Sequence, residues 1–104
     1  MSADATPTPA STLSGRVIAV TGAARGLGRS YVELLARLGA DVVASDIDAE
    51  PLADIGTAAA RSCGTITPIA ADATSKRGVD SILGTALDQH GRHDGVIANA
   101  GLLR

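Results

Sequence analysis

Aromatic residues are almost missing from this chain: one Tyr, no Phe and no Trp among 104 residues. A core must therefore be built from Val, Ile, Leu and Ala, which bury less area per side chain than aromatics do. The same scarcity removes any platform on which nucleobases could stack. Net charge is −2 and the pI is near 5.5, so the clustered cations that hold nucleic acid or an anionic membrane are lacking too. Cys63 is the only cysteine. No intrachain disulfide can form, and the composition suits a reducing, cytoplasmic setting. Cys63 is expected at a helix end, where the dipole disfavours a thiolate. No apolar run is long enough to span a bilayer. Residues 1–12 place Pro7 and Pro9 among small polar residues, without the basic and apolar regions of a signal peptide. They read as a flexible leader.

What the chain does have is a regular alternation of short β-branched runs and longer helical patterns. Val17 to Thr21 is a continuous apolar run, as expected of a strand covered on both faces. A glycine-rich turn follows, then Leu27, Tyr31, Leu34, Leu35 and Leu38 at the spacing of one helix face. Glu33 and Arg37 can pair on the opposite side, and Gly39 is a natural stop. Asp41 to Asp46 is a second strand. Pro51 suits the first turn of a helix running to about Ser62, weakened by Gly56 and ended by Gly64. Thr65 to Ala71 is a third strand, and Pro68, which cannot donate to a ladder, puts it at a sheet edge. Ser75 caps a helix with the stripe Val79, Ile82, Leu83, Ala86 and Leu87, stopped by Gly91. Gly95 to Ala98 is a fourth strand. This spacing predicts an α/β fold with a parallel four-stranded sheet in the order 3-2-1-4 and helices on both faces, a Rossmann-like half.

The segment Thr21-Gly22-Ala23-Ala24-Arg25-Gly26-Leu27-Gly28 follows a strand and opens a helix. Unpartnered N–H groups and the dipole at a helix start favour an anion, and glycine lets a phosphate approach the backbone. A Walker loop is excluded, since no Lys-Ser/Thr pair follows. Asp46, Asp72 and Asn99 each end a strand, on the rim where open α/β sheets bind ligands. Any one of them could be an ordinary turn residue. Their coincidence with the glycine turn points to a dinucleotide.

In that turn, in Asp46, in Asp72 and in Ala98-Asn99-Ala100-Gly101, the chain resembles the N-terminal half of a short-chain dehydrogenase/reductase, over about Leu13 to Arg104. The resemblance implies that residues 13–104 are the N-terminal part of a dinucleotide-binding Rossmann domain. It implies that Gly22, Arg25, Gly26, Leu27 and Gly28 surround the pyrophosphate, and that Asp46, with Ile47 beside it, meets the adenosine ribose. Asp72 and Ala73 would meet the adenine, and Asn99, Ala100 and Gly101 would lie under the nicotinamide ribose. The family often has Asn where Ala98 stands. Like-charge repulsion between Asp46 and a 2′-phosphate favours NAD over NADP, although Arg25 pulls the other way.

The family's chemistry is hydride transfer between a nicotinamide and a secondary alcohol or ketone. Its Ser and Tyr-x-x-x-Lys residues have no counterpart here. Tyr31 is followed four residues later by Leu35, and it lies on an apolar helix face. Lys76 stands at a helix start facing solvent. No catalytic residue is assigned, and the chain alone is expected to be inactive. His90 and His93 have no third or fourth ligand at metal spacing, so no metal site is assigned. The other reading is a non-enzymatic fragment that binds nucleotide weakly or self-associates through an exposed fourth-strand edge. An adenosyl-dependent methyltransferase is disfavoured by Asn99-Ala100-Gly101. Leu102-Leu103-Arg104 is similar to members acting on acyl thioesters, but the substrate is not legible.

Overall fold

The structure, a computed structural model, describes residues 13–24, 26–55 and 64–98. The leader, Arg25, Cys63 and Asn99 to Gly101 lie outside the described residues. Four parallel strands, β1 (Val17–Thr21), β2 (Asp41–Asp46), β3 (Thr65–Ala70) and β4 (Gly95–Ala98), form one sheet in the order β3-β2-β1-β4. The register runs from Val17 opposite Asp41 and Asp41 opposite Thr65, with Ile18 opposite Gly95. Pro68 sits on β3 at the edge, so its missing N–H removes no ladder bond from a strand flanked on both sides. The expected order is the observed one.

Alternation along the strands divides the core between the two sheet faces. On one, Val20, Val42, Ala44 and Ile66 pack with Val32 and Ala36 of α1 (Gly26–Arg37) and with Leu52 and Ile55. On the other, Val17, Ala19 and Val43 pack with Ile82 and Ala86 of α3 (Lys76–His90). Valine and alanine make up most of both faces.

The stripe expected of α1 is rotated. Gly28, Val32 and Ala36 are buried, Tyr31 and Leu35 are half-buried against the core, and Leu27 and Leu34 are exposed. The four leucines suggested a face by their size. The small residues set it, because only they let the backbone approach the sheet. Glu33 correspondingly bonds Arg29 at 3.2 Å, one turn back, where the sequence pointed to Arg37. The stop after α1 is as expected: Gly39 N–H donates to Ala36 O and Ala40 N–H to Leu35 O, both at 3.0 Å, the two bonds of a Schellman motif.

The second helix carries Pro51 in its first turn, as expected, and tightens after Leu52. α2 spans Ala49–Leu52, starting before Pro51, and a tight turn over residues 53–55 follows. Asp48 precedes it without a side-chain cap, and Pro51 lies in its first turn as the third residue. The expected continuation through 56–63 lies outside the described residues. α3 agrees at both ends: Ser75 Oγ accepts from Gly78 N–H at 3.0 Å, and Gly91 N–H donates to Leu87 O at 2.9 Å. Its stripe is only partly covered, with Ile82 and Ala86 buried and Val79 and Leu87 exposed. Lys76 reaches Asp80 at 2.9 Å on the surface.

At the amino end of the sheet, Asp94 does something its sequence context did not reveal. Val17 N–H donates to Asp94 Oδ2 at 2.8 Å, and Asp94 N–H donates back to Val17 O at 2.8 Å, so the residue aligns β4 on β1. Nearby, His90 Nδ1 is 3.8 Å from Asp41 Oδ2, while its Nε2 is buried without a partner. Among the described residues, no group of three or more His, Cys, Asp or Glu side chains could hold a metal, and no helix is long and apolar enough to cross a membrane.

Candidate functional site

The carboxyl ends of β1, β2 and β3 meet around the glycine turn. Gly22 and Gly26 have φ of 65° and 62°, a region that costs a residue with a β-carbon about 1–2 kcal/mol. The turn is tied to β2 by successive amides: Ala23 N–H donates to Ser45 O at 2.9 Å, and Ala24 N–H to Asp46 Oδ2 at 3.0 Å. Ser45 is fully buried, and its hydroxyl donates to Val20 O at 3.2 Å, joining the same two strands from the side-chain level. Asp46 Oδ1 accepts from Asp48 N–H at 3.0 Å.

Asp72 follows β3 and is held by its own loop. Its Oδ1 accepts from Thr74 N–H at 2.9 Å and from the Thr74 hydroxyl at 2.5 Å. The hydroxyl first, and then the amide, hold its carboxyl below the usual aspartate value of 3.8. Asp94 is lowered as well, first by the Arg92 guanidinium at 2.7 Å and then by the Val17 amide.

Folding therefore depresses both pKa values. Both aspartates contribute stability above the unfolded value of 3.8, and that contribution is lost as pH falls through the lower folded values. Acid unfolding should therefore show a pH slope from these two groups below about pH 4. The pH slope should flatten in an Asp72→Asn, Asp94→Asn double variant followed by circular dichroism. Equal slopes in the two proteins would sink the assignment.

A cavity of about 150 Å³ opens at this rim, lined by Gly22, Ser45, Asp46, Ile47, Ala71, Asp72, Ala73 and Thr74. It brings together Gly22, Asp46, Ile47, Asp72 and Ala73 of the residues expected from the sequence. Gly26, Leu27 and Gly28 do not line it: Leu27 is exposed, and Gly28 is buried in the first turn of α1. Arg25, Asn99, Ala100 and Gly101 lie outside the described residues. Ser45, Ala71 and Thr74 were missed. Thr74, two residues after Asp72 at the mouth of a helix, carried an available signal, the local hydroxyl-to-carboxylate turn. A second, apolar cavity of about 170 Å³ lies between α3 and β4, lined by Val79, Leu83, Val96 and Ala98 among others. Tyr31 packs against the core on the other face, away from both.

The parallel-sheet fold is shared with known proteins. Hydroxyacyl-CoA dehydrogenase ChsB1 of Mycobacterium tuberculosis is 43% identical over 97 residues, covering 88% of this chain and 30% of that protein. A crystal structure of carveol dehydrogenase from Mycobacterium avium in complex with NAD superposes with a TM-score of 0.79 at 31% identity, covering 88% of this chain and 37% of that one. A metagenomic short-chain oxidoreductase in complex with NADP gives 0.79 at 35% identity, covering 88% and 42%. The chain thus spans between 30 and 42% of the length of these proteins. Residues 16–104 match the short chain dehydrogenase family along their whole extent. The chain belongs to the short-chain dehydrogenase family.

Proposed function

We propose that this chain is the NAD-binding segment of an oxidoreductase whose reaction is hydride transfer between NAD and a secondary alcohol or ketone. The observation that carries the reading is Asp46, whose carboxylate lines the rim cavity with Gly22 while bonding the turn itself. An ionised carboxylate has about four lone-pair sites. Two are engaged by Ala24 and Asp48, which leaves acceptors for the two hydroxyls of an adenosine ribose. Gly22 offers backbone without a β-carbon at the same cavity, as a pyrophosphate needs. Asp72, held ionised by Thr74, adds an acceptor on the adenine side. When bound, the nicotinamide ring gives or takes the hydride. This chain's residues bind and orient the dinucleotide, and none is assigned to catalysis.

Relatives in complex with NAD and with NADP support a nicotinamide dinucleotide of either kind. Charge favours NAD. A 2′-phosphate carries close to two negative charges, and unit charges 4 Å apart at an effective dielectric of 20 interact by about 4 kcal/mol. Partial exposure of Asp46 discounts that figure. Surface ion pairs, by comparison, contribute only about 0–1 kcal/mol. Isothermal titration at fixed ionic strength should show NAD binding at least about tenfold more tightly than NADP. Equal affinities, or a preference for NADP, would overturn the choice.

Another reading is favoured by Val96, half-exposed on the outer strand β4 beside the exposed Val79. An apolar strand edge of this kind invites a second chain, and light scattering across a concentration series distinguishes a self-associating fragment from a monomeric one. A cytoplasmic setting belongs to the main reading and rests on the lone cysteine.

A further inference from the structure

We infer that Asp46 is also a positioning residue: its carboxylate latches the glycine turn to the loop after β2 before any ligand is bound. The inference rests on the dinucleotide reading of this rim and extends it. The β1–β2 ladder ends at Thr21 opposite Ser45. Beyond it lie two bonds from described residues of the turn to β2 and its end. One, Ala23 N–H to Ser45 O, is backbone to backbone and is independent of side-chain identity. The other, Ala24 N–H to Asp46 Oδ2, spans 22 positions in sequence and exists only because residue 46 carries an acceptor of this length.

Ala24 is 1% exposed, so water has little access to replace that acceptor. A buried N–H without a partner is costly, and a charged acceptor makes the bond stronger than a neutral one would. The second carboxylate oxygen fixes Asp48 N–H at 3.0 Å, just before α2. One side chain therefore sets the shape of two loops that face the same cavity. Pyrophosphate binding and ribose recognition are not separable at this residue.

That coupling has a consequence of definite sign. If Asp46 were only a ribose acceptor, removing its negative charge would strengthen the binding of an anion that carries no ribose. If it also holds the turn, the same substitution weakens that anion, because the N–H groups that would meet it are no longer fixed.

The test uses the full chain, with Asp46→Ala and Asp46→Asn. In the ligand-free protein, NMR amide exchange at Ala24 and Asp48 should accelerate about tenfold or more in Asp46→Ala. Ala23, bonded to backbone, should keep its protection, which separates release of the latch from general destabilisation. In Asp46→Asn the single carbonyl oxygen retains one bond, so only one of the two amides should accelerate. Inorganic pyrophosphate should bind Asp46→Ala several-fold more weakly than it binds the unaltered chain. Unchanged exchange at Ala24, or tighter pyrophosphate binding by Asp46→Ala, overturns the latch. Failure of the unaltered chain to bind NAD removes the dinucleotide reading and leaves the exchange result to decide the latch.

Discussion

Gly78→Ala is expected to destabilise the chain by about 3 kcal/mol, although alanine is normally the better helix former by about 0.5–1 kcal/mol. Gly78 lies in the first turn of α3 and is buried. A β-carbon built there runs into the Asp72 carbonyl oxygen and lies 2.5 Å from its carbon and 2.9 Å from its nitrogen. All three are backbone atoms, so no rotamer change relieves the contact. Either α3 moves off the sheet, uncovering Ile82 and Ala86, or the Asp72 loop moves. The second route pulls apart a connected set: Ser75 N–H and Oγ donate to Asp72 O, and Ser75 Oγ accepts from Gly78 N–H. Both routes cost more than the propensity gained. Urea denaturation should show a midpoint lowered by between about 1 and 3 M. Gly84→Ala is the control, since a β-carbon there meets nothing within 4 Å. It should raise stability by up to about 1 kcal/mol. Equal stability of Gly78→Ala and the unaltered chain would show that the contact relaxes freely.

The contrast between those two glycines of one helix marks the boundary of what the sequence reveals. Ser75 as a cap, Gly39 and Gly91 as stops and Pro68 as an edge residue were legible, because each acts on backbone within a few positions of itself. The strand order was legible because Pro68 excluded its strand from the centre and the crossover rule did the rest. The aspartates at strand ends were legible because position in a parallel sheet fixes the rim they face. The facing of α1 was not. Periodicity gave a helix, but Leu27 and Leu34 drew the expected face toward themselves, while Gly28, Val32 and Ala36 make the contact. Asp94 and the second role of Asp46 were hidden for another reason. Their partners, Val17 and Ala24, are 77 and 22 positions away and contribute only an amide, which has no sequence signature. The approach of Gly78 to the Asp72 backbone has no sequence signature either.

The shortage of aromatics returns in the prediction for Ile55→Ala, an expected loss of about 3–4 kcal/mol. Ile55 heads the largest fully buried side chains, the rest of which are five valines and Ser45. It closes the outer part of the core between Leu52 and the β2–β3 side of the sheet. Cutting it to alanine removes three carbons from a cluster made largely of short valine and alanine side chains. Val32, Val42 and Val20 are stiff at χ1, and Ala36, Ala40 and Ala44 have nothing to extend. A core with Phe or Met nearby would relax by rotation. This one keeps its cavity, and residual cavity volume is what drives the cost of such substitutions upward. Against a total stability of about 5–15 kcal/mol for a domain of ordinary size, the change is enough to populate unfolded chain near room temperature. Ile55→Val should cost only about 0.5–1.5 kcal/mol, and Ile47→Ala, at a side chain 69% exposed, should stay within about 0.5 kcal/mol of the unaltered chain. Guanidinium titrations of the three variants test the ordering. If Ile55→Ala and Ile47→Ala lost the same amount, the turn after α2 would not be part of the core.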